Sequence, residues 1–244
     1  MARTTIPWGD GSGDNIYLDY PAASGDQTIA VSSDALTGGA RTKVVTFSAS
    51  GVTPVTLTVK QAPYDAEVEY LQSDGSSYID TGVNIRAIVH AIMTITFPEI
   101  PTGLSRSPAI YGAYWDASPR VPRNQLTLNT SGKWTVVQNT SVSGATSGAA
   151  AVAGIDYNLD IANKAAQSSD RTMYVMARNN DGGNYNICDF MRLKSLRMTS
   201  AGVTVLDCIP VRVGTVGYLY DSVGSRLIGN AGGGAFIVGP DKTT

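Results

Sequence analysis

The sequence predicts an all-β protein built from two β domains in series. Short runs alternate strictly between apolar and polar residues, for example at residues 44–49, 55–60 and 91–97, and this period is typical of strands. The chain contains 26 glycines, and those in its last fifty residues divide that stretch into short apolar pieces. An interior glycine costs a helix about 1 kcal/mol relative to alanine, so this stretch does not suit helices. Because only 16% of residues are charged and 43% are hydrophobic, the chain can bury a core and present an uncharged polar surface.

Charge, hydropathy and cysteine usage exclude several classes of protein. The net charge of −2 gives no basic field to hold phosphates, so we expect no nucleic-acid partner. No run is apolar for long enough to span a membrane, and the first residues lack the apolar core of a signal peptide. We therefore expect synthesis in a cytoplasm and no membrane partner. Cys188 and Cys208 lie in apolar contexts and are expected to be buried free thiols, with a bridge as the alternative in an oxidising medium.

Residues 1–15 are predicted to form an irregular N-terminal arm because proline, three glycines and two aspartates surround a single tryptophan. The functional interpretation is an extended anchor in which Ile6 and Trp8 dock on a neighbouring subunit. The alternative is a disordered tail. If the arm is an anchor, deleting residues 1–15 should leave both domains folded yet abolish attachment.

Residues 16–63 are predicted to form a small immunoglobulin-like sandwich with a modest core. Three motifs carry a resemblance to a known family: Ser-Gly-Asp-Gln-Thr at 24–28, Arg-Thr-Lys-Val-Val-Thr-Phe at 41–47 and Val-Thr-Leu-Thr-Val-Lys-Gln-Ala at 55–62. In this order they resemble BACON domains, which are immunoglobulin-like and frequent in gut Bacteroidota and the crAss-like phages that infect them. The resemblance covers about the first quarter of the chain, and residues 6–14 look like a phage-type lead-in to such a domain.

Residues 64–244 are predicted to form a second, larger domain that begins after Pro63 and a short acidic stretch. Its first motif is Glu-Tyr-Leu-Gln-Ser-Asp-Gly-Ser-Ser-Tyr-Ile-Asp-Thr-Gly at 69–82, and its closing motifs occupy 209–221 and 236–241. Together they resemble the concanavalin/laminin-G-like jelly rolls of phage structural proteins over residues 70–241. The resemblance implies the fold more strongly than any function, because lectins, capsid proteins and adhesins share this architecture.

Catalytic, metal and cofactor motifs are not evident in the sequence. His90 is the only histidine and is expected to be a solvent-facing strand residue, which leaves no second imidazole for a zinc site. No Gly-x-Ser-x-Gly elbow marks a nucleophile, and the glycine runs lack the Lys-Ser/Thr of a phosphate-binding loop. Calcium at Asp74, Asp80 or residues 179–181 is conceivable but has no EF-hand spacing. We therefore expect no enzyme, no cofactor and no metal.

One aromatic and polar cluster is the best candidate for ligand binding. Aromatic faces combined with planar polar groups are typical of sugar recognition. The candidate glycan contacts are Tyr111, Tyr114, Trp115, Arg120, Arg123 and Asn124. The alternative is that Tyr111 belongs to the core and Trp115 anchors a loop or contacts another subunit.

The resemblances imply a non-enzymatic bacteriophage virion protein, either a capsid decoration protein or a head fibre. It would be made in the bacterial host cytoplasm and displayed on the capsid surface, fastened by its N-terminal part with the jelly roll projecting. Capsid or other virion proteins would be its partners, and a homotrimer is expected by analogy with other fibres. The alternative is a carbohydrate-binding, lectin-like adhesion module for glycans or mucin, and a glycoside hydrolase ranks third.

Overall fold

The computed structural model describes residues 2–20, 28–36, 39–114, 124–137, 140–166, 170–180 and 183–243. The chain divides into two compact units, residues 1–63 and residues 64–244. All regular elements in the described residues are strands, which confirms the predicted all-β class. Within these residues, no helical segment has the length and apolarity that crossing a lipid bilayer requires.

The first unit contains two separate sheets. The three-stranded sheet has the order β1-β2-β3, and β4 and β5 form a hairpin of their own. The strands are β1 (Ala2–Pro7), β2 (Asn15–Tyr20), β3 (Ala30–Ser33), β4 (Arg41–Ala49) and β5 (Val52–Gln61).

The predicted N-terminal arm is instead part of the body of the first unit. Strand β1 pairs antiparallel with β2 along its whole length, from Ala2 opposite Tyr20 to Pro7 opposite Asn15. The glycines of the connecting turn have positive φ angles, which glycine adopts without the steric penalty of a Cβ atom and which allow the chain to reverse. The prediction of a separate arm was therefore wrong, because this glycine-rich segment is the turn of a hairpin.

The core of the first unit is small. Its buried hydrophobic residues are Trp8, Ile16, Leu18 and Val45, with four partly buried neighbours. By contrast, Ile29 directly precedes β3 and is 40% exposed. A core of this size gives little reserve of stability, because small domains bury a low fraction of their surface.

The second unit contains one sheet of seven strands and one of ten. Its strands are β6 (Ala66–Glu67), β7 (Leu71–Gln72), β8 (Ile79–Asn84), β9 (Val89–Thr96), β10 (Ala109–Tyr114), β11 (Asn124–Leu128), β12 (Trp134–Val136), β13 (Thr140–Ser143), β14 (Asp156–Asn163), β15 (Thr172–Val175), β16 (Arg178–Asn180), β17 (Gly183–Tyr185), β18 (Arg192–Ser200), β19 (Val203–Val213), β20 (Val216–Asp221), β21 (Arg226–Ile228) and β22 (Ile237–Val238).

The connections of these strands alternate between the two sheets. The smaller sheet has the path β12-β11-β10-β15-β8, with β16 and β17 attached through β10. The larger sheet has the path β13-β14-β9-β18-β19-β20-β21, with β6, β7 and β22 attached. The chain therefore passes several times from one sheet to the other before β18, whereas β18 to β22 all belong to the larger sheet. The glycine-punctuated last fifty residues were predicted to cross repeatedly between two sheets, and this prediction was wrong because their glycine turns connect neighbouring strands of one sheet.

Side chains from both sheets enter one hydrophobic core. In β9, Ala91, Met93 and Ile95 are buried, whereas the alternate residues His90 and Ile92 face solvent. Aromatic rings fill one region of this core, with Trp134 and Tyr157 meeting edge to face at 5.0 Å between ring centroids. Such a ring pair stabilises the folded state by about 0.5–1.5 kcal/mol in addition to the contribution of the apolar area that it buries.

The two cysteines are free and buried, as the sequence predicted. Burial raises the pKa of the Cys188 thiol, and it raises the pKa of Cys208 to about 12. Since the thiolate is the reactive form, both residues act as small apolar core side chains rather than as nucleophiles.

The beginning and the end of the second unit are joined to each other. Strand β7 pairs with β22, and the main-chain N–H of Ala235 donates to Asp74 Oδ2 at 2.9 Å. Asn230 completes this joint, because its Oδ1 accepts from the N–H of Tyr78 at 3.0 Å and from the N–H of Gly232 at 2.7 Å. Two motifs about 150 residues apart in sequence thus form one structure.

Asp74→Asn should weaken this joint in a pH-dependent way. The N–H of Ala235, followed by the donors of Ser76 and Ser77, holds the pKa of Asp74 well below its usual range. A carboxylate with a lowered folded-state pKa stabilises the fold above its unfolded pKa of about 4, and this stabilisation is lost as pH falls. We expect the difference in melting temperature between wild type and variant to be largest near neutral pH and to shrink below about pH 4. A difference that does not depend on pH would contradict this explanation.

Candidate functional site

The predicted glycan contacts that the structure describes lie on two adjacent strands of the second unit. Strand β10 ends at Tyr114 and β11 begins at Asn124, and Ala113 stands opposite Asn124 in the antiparallel register. Asn124 is fully buried. Trp115, Arg120 and Arg123 lie outside the described residues, so their part in the predicted site stays a prediction.

Tyr111 is the largest of the fully buried side chains in the second unit. Its neighbours in the register are Leu126 and Val175, both of which also belong to the core. Burial raises the pKa of its phenol well above the usual range. Tyr111 therefore offers no ring face to solvent, in agreement with the alternative that it is a core residue, but its hydroxyl has no hydrogen-bond partner among the described residues.

Thr140 and Asn163 are two further buried polar residues whose side chains lack a hydrogen-bond partner among the described residues. Thr140 is the first residue of β13, Asn163 is the last of β14, and the register places them directly opposite each other. Each is only 3% exposed. Within the described part of the chain, neither Thr140 Oγ1 nor either amide atom of Asn163 finds a partner.

The inward direction of Asn163 follows from the period of its strand. Every second residue in this part of β14 faces the core. Leu159 and Ile161 are two of them, and Asn163 is the next. Extending the alternation seen at residues 157–161 by one step would therefore have found it in the sequence. Sequence reasoning missed it because an asparagine at a strand end is ordinarily taken as the start of a turn.

Buried polar groups without partners are costly. Each one lowers the stability of the folded state by about 1–3 kcal/mol, because its hydrogen bonds to water are lost and not replaced. The net stability of a domain is only about 5–15 kcal/mol. The hydroxyls of Tyr111 and Thr140 and the amide of Asn163 therefore need hydrogen-bond partners, and buried polar groups of this kind are ordinarily bonded to protein or to ordered water.

In the first unit, Trp8 is held within its own domain. The guanidinium carbon of Arg41 lies 4.5 Å from the centre of the Trp8 ring, a favourable cation–π contact. Arg41 Nη1 donates to Asp14 Oδ2 at 2.8 Å and to Asp10 Oδ2 at 3.1 Å. Trp8 is 5% exposed, so its ring stabilises the unit itself and is not presented to a neighbouring subunit.

Ile6 lies at an open apolar groove of about 380 Å³ in the first unit. All of the lining residues are uncharged: Thr4, Ile6, Leu18, Tyr20, Ile29, Val45, Thr46 and Phe47. Of the two predicted anchor residues, Ile6 is therefore the one that remains accessible to a partner. Ile29, in the same groove, is the most exposed of its large hydrophobic side chains.

The residues weighed as candidates for catalysis or metal binding do not come together in the described part of the chain. His90 is exposed, and its Nδ1 lies 3.6 Å from Asp160 Oδ1, which confirms a solvent-facing strand histidine. Asp80 Oδ1 accepts from the N–H of Gly82 at 3.0 Å, and Asn179 Nδ2 donates to the carbonyl of Thr172 at 2.9 Å. Asp181 lies outside the described residues. In the part of the chain that the structure describes, no three histidine, cysteine or acidic side chains gather as a metal site would require.

Comparisons with protein-family models, with curated proteins and with solved structures find no match to this chain.

Proposed function

We propose that this chain is a non-enzymatic structural protein of a bacteriophage virion, either a capsid decoration protein or a head fibre. In this proposal the first unit is an immunoglobulin-like domain of the BACON type. The second is a concanavalin/laminin-G-like jelly roll that projects from the particle. The protein is made in the host cytoplasm and is located at the capsid surface, where it associates with other virion proteins as a homo-oligomer, for which we propose a trimer.

The observation that carries this proposal is the joint between the end motifs of the second unit. The motifs at residues 69–82 and 236–241 are among those that resemble phage jelly rolls, and they meet through the pairing of β7 with β22. The loop just before the closing motif adds bonds from Ala235 to Asp74 and from Tyr78 to Asn230. Because the two ends of this unit meet at one place, the loops elsewhere on the unit are left for contact with other molecules. This arrangement supports a display role, since loops on a rigid β scaffold are where binding functions are usually placed.

In this proposal the first unit attaches the protein to the particle, and the contact is made by the groove that Ile6 lines. An uncharged apolar groove complements an uncharged apolar segment of a shell protein, because binding there removes apolar surface from water. Removing the predicted arm would also remove strand β1, so attachment and folding of the first unit are coupled.

Ile29→Asp should prevent incorporation into particles by placing a charge in this groove. Val52→Asp is the matched control, because Val52 is 64% exposed, does not line the groove and lies in the same unit. We expect particles assembled with Ile29→Asp to carry at least tenfold fewer copies than those assembled with Val52→Asp. Circular dichroism checks that both variants are folded. Equal incorporation of the two folded variants would contradict attachment through the groove.

The second candidate function is carbohydrate binding by a lectin-like adhesion module on glycans or mucin. The observation that favours it is the buried hydroxyl of Tyr111 on β10, one of the predicted glycan contacts, which has no hydrogen-bond partner among the described residues. The two functions are compatible, because many copies on one particle would strengthen weak individual sites by multivalency. A free, particle-independent lectin would bind a glycan array yet be absent from purified particles.

A further inference from the structure

The groove that Ile6 lines has residues from both sheets of the first unit around it. Its floor belongs to the three-stranded sheet, with Thr4 and Ile6 from β1, Leu18 and Tyr20 from β2, and Ile29 directly before β3. Thr4 stands opposite Leu18 in the antiparallel register, so the two side chains lie on the same face of this sheet. The groove is therefore a place where that face is open.

The wall of the groove is the edge of strand β4. Three consecutive residues of this strand line the groove, namely Val45, Thr46 and Phe47. Val45 is buried and Phe47 is half-buried, whereas Thr46 between them is exposed, because successive side chains of a strand point to opposite faces. A groove that contacts both faces of one strand runs along the edge of that strand, where the main-chain N–H and C=O groups point.

This edge of β4 is available for pairing. Within the described residues, β4 pairs with β5 alone, and the two strands form a sheet of their own. None of the described residues of β5 lines the groove, so the groove lies on the side of β4 that faces away from β5. Such an edge presents a row of main-chain donors and acceptors, which another chain in the extended conformation can satisfy.

We infer that the groove is a site of β-strand addition and that its occupant is an extended strand of a shell protein. The added strand extends the β4–β5 sheet through main-chain hydrogen bonds, and every second side chain enters the groove. Because none of the lining residues carries a charge, the side chains that enter are apolar. The inference rests on the proposed virion role for the identity of the partner, and it adds how that partner is recognised.

The geometry favours an extended strand over a helix or a charged segment. A helix bonds its own main-chain groups internally, so it would cover the edge of β4 without pairing it, and buried main-chain groups without partners are unfavourable. A charged segment would lose its hydration without meeting a counter-charge in the groove. An extended apolar strand removes the same apolar surface from water and also pairs the edge.

The test uses the full chain and a library of acetylated, amidated peptides of about nine residues, a usual strand length. Valine, isoleucine, leucine and phenylalanine vary at every second position, threonine fills the positions between them, and a lysine at each end maintains solubility. Binding is measured by fluorescence anisotropy. We expect the best peptide to bind wild type and Ile29→Asp to weaken that binding at least tenfold. Val52→Asp is the matched control and should bind like wild type, because Val52 does not line the groove.

Methylation of the peptide main chain separates strand addition from general apolar contact and needs no variant of the protein. In a strand, alternate N–H groups point to opposite edges. Methylating every second N–H of the best peptide should therefore abolish binding for one set of positions and leave it intact for the other set. Hydrogen exchange should also slow at amides within residues 44–48 when the unmethylated peptide is bound.

The inference is overturned if no peptide of the library binds, if Ile29→Asp binds as well as Val52→Asp, or if the two methylated sets behave alike. The copy number on purified particles is measured separately. A chain that is present on particles but binds no peptide overturns strand addition and leaves the virion role standing. A chain that binds the peptides but is absent from particles overturns the virion role and, with it, the shell protein as partner.

Discussion

Truncating Trp8 should unfold the first unit and leave residues 64–243 folded. Trp8 is one of the few buried hydrophobic residues of that unit and also carries the contact with Arg41. Replacing a buried tryptophan with alanine costs about 3–5 kcal/mol, which equals or exceeds the roughly 3–5 kcal/mol that a core of this size supplies. Deleting residues 1–15 should have the same result, because it also removes β1.

Limited proteolysis followed by mass spectrometry measures this effect directly. In Trp8→Ala the protease should cut within residues 2–63 at low concentration, and a resistant fragment beginning near Tyr64 should remain, since the two units have separate cores. Val55→Ala is the control, because Val55 is 64% exposed in the same unit. If Trp8→Ala resisted cleavage as well as Val55→Ala does, Trp8 would not be the centre of the core.

Gly232→Ala should disrupt the joint between the ends of the second unit. A Cβ atom at this position would lie 1.9 Å from the carbonyl oxygen of Ser76, which is main chain and cannot rotate away. The loop would have to move, and the hydrogen bond from the N–H of Gly232 to Asn230 Oδ1 would be lost. We expect a loss of about 3 kcal/mol in unfolding free energy, which for a unit of this size lowers the melting temperature by roughly 5–10 °C.

Gly233→Ala provides the matched control for this prediction. The residue is adjacent in the same loop, yet a Cβ atom there meets nothing within 4 Å, so its effect should stay within about 0.5 kcal/mol. Differential scanning calorimetry of the two variants gives the comparison. Equal melting temperatures would mean that the loop is not held against Ser76 as described.

The strands of the second unit were the most predictable part of the fold. In β9 and β14 one face is buried and the other is solvated, so the sequence period of two reports directly on burial. Strand β1 was not predictable in the same way. Its residues are mostly polar and exposed, and the glycines that follow are as typical of an irregular arm as of a hairpin turn.

The long-range parts of the site could not be predicted from sequence patterns. The bond between Asp74 and Ala235 and the pairing of Thr140 with Asn163 depend on strand order and register, which local periodicity does not specify. The cluster of Tyr111 and Asn124 was predicted from residue type alone. The burial of Tyr111 agrees with the alternative that it is a core residue, whereas the burial of Asn124 was not predicted.

Quantitative mass spectrometry of purified phage particles tests the central proposal most directly. The proposal predicts that this chain co-purifies with the particles at a fixed copy number relative to the major shell protein. That number should be a multiple of the oligomer size and should persist after washing in high salt, because the proposed contact is apolar. Particles that lack the chain, together with a free protein that releases sugar from a glycan, would contradict a structural virion role.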